Sequence, residues 1–294
     1  MSIKHSQNGG AGAIAAVPSQ GTGTAAGAFC GTGVNERFGE TQRKDAWWVM
    51  PVSQAIGLTV LGIYATWAAA QGAHYEYGNY LSPFYSPLFK PSWWPISPAF
   101  LILWAPLGFR ATCYYYRKAY YRAFFADPHA CAVGELKTGG YRGETKFPFI
   151  LQNLHRYFLY FALIILVILW YDVIRSFLFA QPPTGRLRFG IGGGTLALLF
   201  NTSLLSLYTF SCHSLRHLVG GKLDCFSCVA SGGPRRETWS LVSVLNGHHM
   251  AFAWWSLFAV CFADFYVRMC SMGVIHDPVF YPLSLFTTPG GTGL

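Results

Sequence analysis

Five long runs of apolar residues alternate with shorter polar connections along this chain. Crossing about 30 Å of hydrocarbon takes roughly 20 helical residues, and every run is at least that long. Lipid offers no partners for unpaired backbone groups, so each run is predicted to be an α-helix. We therefore predict an all-α fold, an integral membrane bundle of five transmembrane helices with a kink at Pro106 in the second. The predicted spans are residues 46–70, 96–125, 149–179, 191–219 and 245–272.

The two ends of the chain differ from this pattern. Residues 1–45 are rich in Gly, Ala, Ser and Thr and have no hydrophobic period, which predicts a disordered or surface-draped tail. The bundle domain is expected to occupy residues 46–280, and residues 281–294 form a C-terminal tail.

Composition supports a membrane protein, because 52% of the 294 residues are hydrophobic and only 11% are charged. Soluble domains are about 25% charged. The formal net charge is +9, and the basic residues collect before the first span, between the second and third, and between the fourth and fifth. Because basic residues favour the cytoplasmic side, the N-terminus is predicted inside and the C-terminus outside. The bases flank apolar runs and form no single stripe, so nucleic-acid binding is not expected.

The eight cysteines are too few and too scattered for a disulfide scaffold. Cys225 and Cys228 form one C-x-x-C motif in a loop, and no second pair stands at zinc spacing. We assign this motif no role. The N-terminus shows no secretory signal, so the first span is expected to act as the insertion signal.

Ionisable and thiol groups gather at the predicted cytoplasmic ends of four spans. The densest stretch is 211–217, where His213 and His217 share one helix face and Cys212 and Arg216 share the next. Charged groups at membrane depth are costly and indicate a functional site. The others in this group are Arg110 and Cys113 in the second span, His155 and Arg156 in the third, and Asn246, His248 and His249 in the fifth.

Two cofactors fit these residue types. A haem needs two histidines on facing helices, and His155, His213 or His217, and His249 could supply one pair. A Rieske-type [2Fe–2S] cluster needs two thiolates and two imidazoles, which Cys113 and Cys212 could provide with two of the same four histidines. The usual C-x-H boxes of soluble Rieske proteins are absent, so such a cluster would draw its ligands from separate helices.

Four sequence blocks carry a family resemblance: 109–122 (FRATCYYYRKAYYR), 151–158 (LQNLHRYF), 211–217 (SCHSLRH) and 245–250 (LNGHHM). In order and spacing they resemble the five-helix membrane anchor of actinobacterial succinate dehydrogenase. The resemblance implies a multi-pass protein of the bacterial inner membrane that binds membrane lipid. It also implies partnership with a flavoprotein subunit and an iron–sulfur subunit, and electron transfer to menaquinone, a quinone, through a Rieske-type cluster.

Residue roles follow as expectations. The candidate iron ligands are Cys113, His155, Cys212, His213, His217 and His249. We expect Arg110, Arg156 and Arg216 to stabilise the cluster or a quinone anion through charge-assisted hydrogen bonds. Tyr114, Tyr157 and Trp254 are candidates for the wall of the quinone pocket, and the basic segment 117–142 for the docking surface of the iron–sulfur subunit.

Two alternatives stay open at this point. One is an anchor of the same complex with a single haem b. The other is a transporter or scaffold without a redox cofactor, although transporters usually have inverted repeats and midplane charges. We find no internal repeat in the sequence, and Asp172 and Asp264 lie toward the outer ends of their spans.

Overall fold

The computed structural model describes residues 37–135, 147, 149–181, 186–221 and 223–281. These residues contain eight α-helices. They are α1 (Val49–Gln71), α2 (Phe100–Ala111), α3 (Tyr114–Phe125), α4 (His155–Ser176), α5 (Gly193–Phe210), α6 (His213–Arg216), α7 (Gly232–Gly247) and α8 (His249–Ser271).

Three short antiparallel strand pairs join the helices, so the chain is mostly helical without being strictly all-α. The pairs are β1 (Glu76–Tyr77) with β2 (Tyr80–Leu81), β3 (Leu178–Gln181) with β4 (Arg186–Phe189), and β5 (Ile191–Gly192) with β6 (Val279–Phe280).

Three of the helices in the described segments are long and apolar enough to cross a membrane: Val49–Gln71, Ile150–Ser176 and His249–Ser271. A fourth crossing results if Gly193–Phe210 and His213–Gly220 form one span with a 55° bend. Phe100–Ala111 is apolar but has only 12 residues. Five continuous spans are therefore not observed, and the predicted orientation of the termini stays a prediction.

The second and fourth predicted spans are each broken in front of a cysteine. The helix α2 continues past Pro106 to Ala111, and the break comes at Thr112 and Cys113 rather than at the proline. The fourth breaks in the same way at Ser211 and Cys212. Both cysteines have extended backbones, with φ −63° and ψ 130° at Cys113 and φ −65° and ψ 136° at Cys212.

A hydroxyl residue at each break bonds back to a carbonyl of the preceding helix. Thr112 Oγ1 donates to the Gly108 carbonyl at 2.6 Å, and Ser211 Oγ donates to the Tyr208 carbonyl at 3.0 Å. Such bonds compete with the backbone for helix carbonyls and offer the chain an alternative to further helix. Each cysteine follows such a residue and is buried in the core.

The helices carry many large apolar side chains on the outer surface of the bundle. On α1, Ile56, Val60 and Ile63 are all more than half exposed, as expected for a surface that faces lipid. Inside, α8 packs against α5 and α4 packs against α2 and α5. The core cluster where these helices meet contains both Cys113 and Cys212, which are 2% and 1% exposed.

A buried ion pair holds the end of the bundle that lies away from these cysteines. Asp264 on α8 accepts hydrogen bonds from Tyr64 Oη of α1 at 2.6 Å and from Ser82 Oγ of the 71–99 connection. Arg268 Nε lies 3.4 Å from the same carboxylate. Asp264 and Arg268 are 0% and 1% exposed, so their charges compensate each other inside the protein.

The two predicted tails lie largely outside the described residues, as do Lys137, Arg142, Lys146 and Lys222 of the basic connections. The described end of the N-terminal tail lies against the segment after α3, where the Gly39 N–H donates to the Gly134 carbonyl at 2.8 Å.

Candidate functional site

Two cysteines and two histidines meet in crossed pairs at the broken end of the bundle. Cys113 Sγ lies 3.3 Å from His249 Nε2, and Cys212 Sγ lies 3.1 Å from His155 Nε2. Each pair joins a cysteine at a helix break to the first residue of an unbroken helix, α8 or α4. Four of the six predicted ligands are therefore brought together.

Both imidazoles are anchored on their other nitrogen. His155 Nδ1 lies 3.0 Å from Thr112 Oγ1, and His249 Nδ1 lies 2.7 Å from Ser211 Oγ. A hydrogen bond to the distal ring nitrogen is the usual device that orients a metal-binding histidine. The sequence analysis missed these two hydroxyl residues, although each stands directly before a candidate cysteine.

Aromatic residues fix the planes of the same rings. Phe109 stacks on His155 with centroids 4.7 Å apart and an interplanar angle of 6°. Tyr208 stacks on His249 at 5.0 Å and 19°. The sequence analysis missed both of these residues as well.

A cavity of about 650 Å³ opens onto the four side chains. This is within the usual size range of pockets for cofactors and small molecules. Its wall includes Gln152, whose Oε1 is buried without a hydrogen-bond partner among the described residues, while its Nε2 donates to Tyr120 Oη at 2.9 Å. The other lining residues are Thr112, Tyr114, Tyr115, Arg117, Asn153, His213, Ser214, Asn246, Gly247 and Met250.

His213 and His217 lie at the edge of the site and make no contact with either thiol. Both are exposed, and their rings meet edge to face with centroids 4.6 Å apart, which agrees with their predicted shared helix face. His213 lines the cavity, whereas His217 does not.

The three predicted arginines have different surroundings. Arg110 donates to Tyr116 Oη at 2.6 Å and to Ser256 Oγ at 3.0 Å, and its guanidinium lies 4.7 Å from the Tyr208 ring centroid. Arg110 therefore contacts Tyr208, the residue that stacks on His249.

Arg216 and Arg156 turn away from the cysteines. Arg216 donates to Ser243 Oγ at 2.8 Å and so joins α6 to α7. Arg156 is exposed and lies over the ring of its neighbour Tyr157.

Of the three predicted quinone-pocket aromatics, Tyr114 lines the cavity. Trp254 packs elsewhere, and its indole N–H donates to Tyr115 Oη at 2.6 Å. Tyr157 is 50% exposed on the outer surface of α4.

One buried hydroxyl at the site has no conventional partner. Tyr208 is 2% exposed, and its Oη makes no hydrogen bond of good geometry with the described residues. The Cys113 thiol is among the groups that interact with this hydroxyl. A phenol held beside a sulfur is suited to donate to a thiolate, which accepts far more strongly than a thiol.

The other cysteines in the described segments take no part in this site. Cys225 and Cys228 form a disulfide with each other. No three His, Cys, Asp or Glu side chains in the described segments converge closely enough to hold a metal ion. The donors at the site are thus two Cys–His pairs around one cavity.

The helices define an integral membrane protein with a candidate functional site at one end. The family model described as actinobacterial succinate dehydrogenase subunit SdhC matches residues 49–273. The chain therefore belongs to this family of membrane anchor subunits, and the resemblance found in the four sequence blocks is confirmed.

A solved structure supports the same relationship. The chain is 42% identical to a chain of the Mycobacterium smegmatis Sdh1 complex in the apo form, with a TM-score of 0.73. The match covers 83% of this chain and 94% of that chain. None of the curated proteins matches this chain.

Proposed function

We propose that this subunit carries electrons from the iron–sulfur subunit of succinate dehydrogenase to a quinone through a [2Fe–2S] cluster held by Cys113, His155, Cys212 and His249. The crossed Cys–His contacts of 3.3 and 3.1 Å are the observation that carries this proposal. When bound, such a cluster supplies one-electron transfer.

The residues present fit this group. Two thiols and two imidazoles match the donor set of a Rieske-type centre, in which the cysteines share one iron and the histidines share the other. Both histidines have Nδ1 engaged, which leaves Nε2 available for iron. The otherwise unbonded Tyr208 hydroxyl would donate to the Cys113 thiolate.

A single haem b is less well supported. Haem iron would need two imidazole nitrogens directed at one point between the helices. Here each Nε2 faces a cysteine sulfur instead. A transporter without a cofactor is disfavoured because the chain belongs to the succinate dehydrogenase family.

Purified complex in the membrane or in detergent tests the cluster. Cys113→Ser and Cys212→Ser should each remove iron and a Rieske-like EPR signal from the assembled complex. Cys261→Ser is the matched control, because Cys261 is also buried but belongs to a different packing cluster. A sharp haem α-band in the reduced-minus-oxidised spectrum, with no such EPR signal, would contradict the proposal.

The cavity beside the four side chains is the proposed binding site of the quinone head group, of which menaquinone is the expected kind. Gln152 Oε1 offers an unused acceptor there for a quinol hydroxyl, and Arg117 and Tyr114 line the same wall. Gln152→Leu should raise the KM for quinone. It should not change the rate at which the complex oxidises succinate when a soluble dye is the electron acceptor. An unchanged KM would argue against this placement.

The remaining roles follow from family membership. The flavoprotein and iron–sulfur subunits are the proposed partners, and the basic segment 117–142, described as far as residue 135, is the proposed docking surface for the iron–sulfur subunit. Membrane lipid is the proposed surrounding of the apolar helices. The bacterial inner membrane is the proposed location. Of the three arginines, we propose an electrostatic role for Arg110 alone. It is the one that contacts Tyr208, whose ring stacks on His249.

A further inference from the structure

The same five-residue pattern occurs at both helix breaks. It consists of an aromatic residue, two intervening residues, a hydroxyl residue and a cysteine, as Phe109–Cys113 (FRATC) and Tyr208–Cys212 (YTFSC). No internal repeat longer than this one is visible in the sequence, and this short pattern stands at both helix breaks in the structure. Both copies end with the cysteine in an extended conformation before a new helix.

The first copy surrounds His155 on two sides. Phe109 stacks on its ring at 4.7 Å, and Thr112 Oγ1 lies 3.0 Å from its Nδ1. Its Nε2 then faces Cys212, the cysteine of the other copy, at 3.1 Å.

The second copy surrounds His249 on two sides in the same way. Tyr208 stacks on the ring at 5.0 Å, and Ser211 Oγ lies 2.7 Å from Nδ1. Its Nε2 faces Cys113 of the first copy at 3.3 Å. Each copy thus orients one histidine toward the cysteine of the other copy.

Counting protons settles the direction of the two hydroxyl contacts. A hydroxyl has one hydrogen, and Thr112 donates it to the Gly108 carbonyl at 2.6 Å. Toward His155 the Thr112 oxygen can only accept, so Nδ1 must carry the proton. Ser211 Oγ is arranged in the same way, 3.0 Å from the Tyr208 carbonyl and 2.7 Å from His249 Nδ1, and donation to the carbonyl leaves a proton on Nδ1 there as well.

We propose that Thr112 and Ser211 are paired positioning residues that fix His155 and His249 in the Nδ1–H tautomer and so present both Nε2 lone pairs to the centre of the site. The inference rests on the proposed cluster, because its benefit is ligation of iron through Nε2. In a neutral imidazole one nitrogen is a donor and the other an acceptor, so fixing Nδ1 determines Nε2.

Hydroxyl removal in the intact complex tests the pair. Thr112→Val keeps the shape of the side chain and removes its hydroxyl, and Ser211→Ala removes one oxygen. Each should weaken iron retention against a chelator by roughly 10–100-fold, the usual effect of losing such an orienting partner. The cluster's midpoint potential and EPR g-values should shift as well.

Conservative variants separate positioning from packing. Thr112→Ser and Ser211→Thr keep the hydroxyls and should retain wild-type iron and EPR spectra. Thr202→Val is the matched control, because Thr202 is a buried threonine of α5, 1% exposed and outside the cavity wall. If Thr112→Val prevents assembly, the single-oxygen change Ser211→Ala decides the result.

The outcomes distinguish this inference from the proposed function. Wild-type complex without a cluster would overturn both. Only the positioning role would be overturned if the wild-type complex held a cluster and the variants behaved like it. In that case Ser211→Ala, and any assembled Thr112→Val complex, would show unchanged chelator resistance and unchanged EPR spectra. As a direct readout, the ¹⁵N spectrum of histidine-labelled complex from which iron has been removed should show a proton on Nδ1 of both residues. A proton on Nε2 of either residue in this iron-free complex would also refute the positioning role.

Discussion

Neutralising Asp264 should destabilise the subunit strongly while leaving the candidate site intact. In Asp264→Asn the Arg268 guanidinium stays buried, with hydrogen bonds to the Ala73 and Ala68 carbonyls at 2.8 and 3.1 Å but without a counter-charge. The bonds that the carboxylate accepts from Tyr64 and Ser82 are weakened as well.

The magnitude follows from the burial of the pair. Breaking a buried ion pair by removing one partner costs about 3–5 kcal/mol, because an uncompensated charge remains inside. For a chain of this size 1 kcal/mol corresponds to about 2–4 °C, so the melting temperature should fall by roughly 6–20 °C. Asp264 is fifteen residues, or about 22 Å along α8, from His249, so iron content per assembled complex should not change.

The assay is the thermal dissociation of the purified complex, followed by loss of this subunit. Asp172→Asn is the matched control, because Asp172 lies at the same end and accepts a hydrogen bond from the neutral Ser86 hydroxyl. It should cost only about 1 kcal/mol. Replacing both partners, as Asp264→Leu with Arg268→Met, should restore most of the stability. A loss in Asp264→Asn no larger than in Asp172→Asn would refute the reasoning.

Three further predictions concern the broken end of the bundle. Tyr208→Phe should lower the cluster midpoint potential by about 20–60 mV in an EPR titration. The change removes a hydrogen-bond donor that stabilises the more negative reduced state by about 0.5–1.5 kcal/mol. An unchanged potential would contradict this prediction. Gly108→Ala should reduce assembly by overpacking, since a Cβ there would lie 2.2 Å from Phe158, whereas Gly62→Ala, with open space around it, should assemble normally. Partial burial alone would raise the pKa of Glu135, but hydrogen bonds from Arg122 and the Ala130 N–H lower it below its ordinary value. The stabilisation is therefore complete above the ordinary pKa and is lost as pH falls through the lowered one. The protection of amides 130–135 against hydrogen exchange, expressed relative to the intrinsic exchange rate at each pH, should be high at neutral pH and fall only in acid. Equal protection at both pH values would contradict this prediction.

The long spans could be predicted from the sequence because their signal is local. Val49–Gln71 and His249–Ser271 each carry enough apolar residues to satisfy a membrane by themselves, and their observed bounds differ from the predicted ones by a few residues. Neighbouring helices are not needed to explain why these residues are helical.

The helix breaks could not be predicted from hydrophobicity. Pro106 was the expected point of distortion, but a proline removes one backbone donor and a helix can continue beyond it. The actual break comes after Ala111, at Thr112 and Cys113, and Thr112 is an unremarkable residue by hydropathy. The same applies to Ser211 in the fourth span.

These breaks also explain why the sequence yielded six candidate ligands and could not choose among them. Helical spacing correctly placed His213 and His217 on one face, but the 55° bend at Ser211 and Cys212 decides which way that face points. With the bend, Cys212 turns into the core toward His155, and the two neighbouring histidines remain exposed. The four residues at the site are therefore selected by the direction of the chain after each hydroxyl–cysteine pair. A sequence in which Thr112 and Ser211 were replaced by ordinary helix formers would keep every candidate ligand and still lose the two hydroxyls that contact His155 and His249.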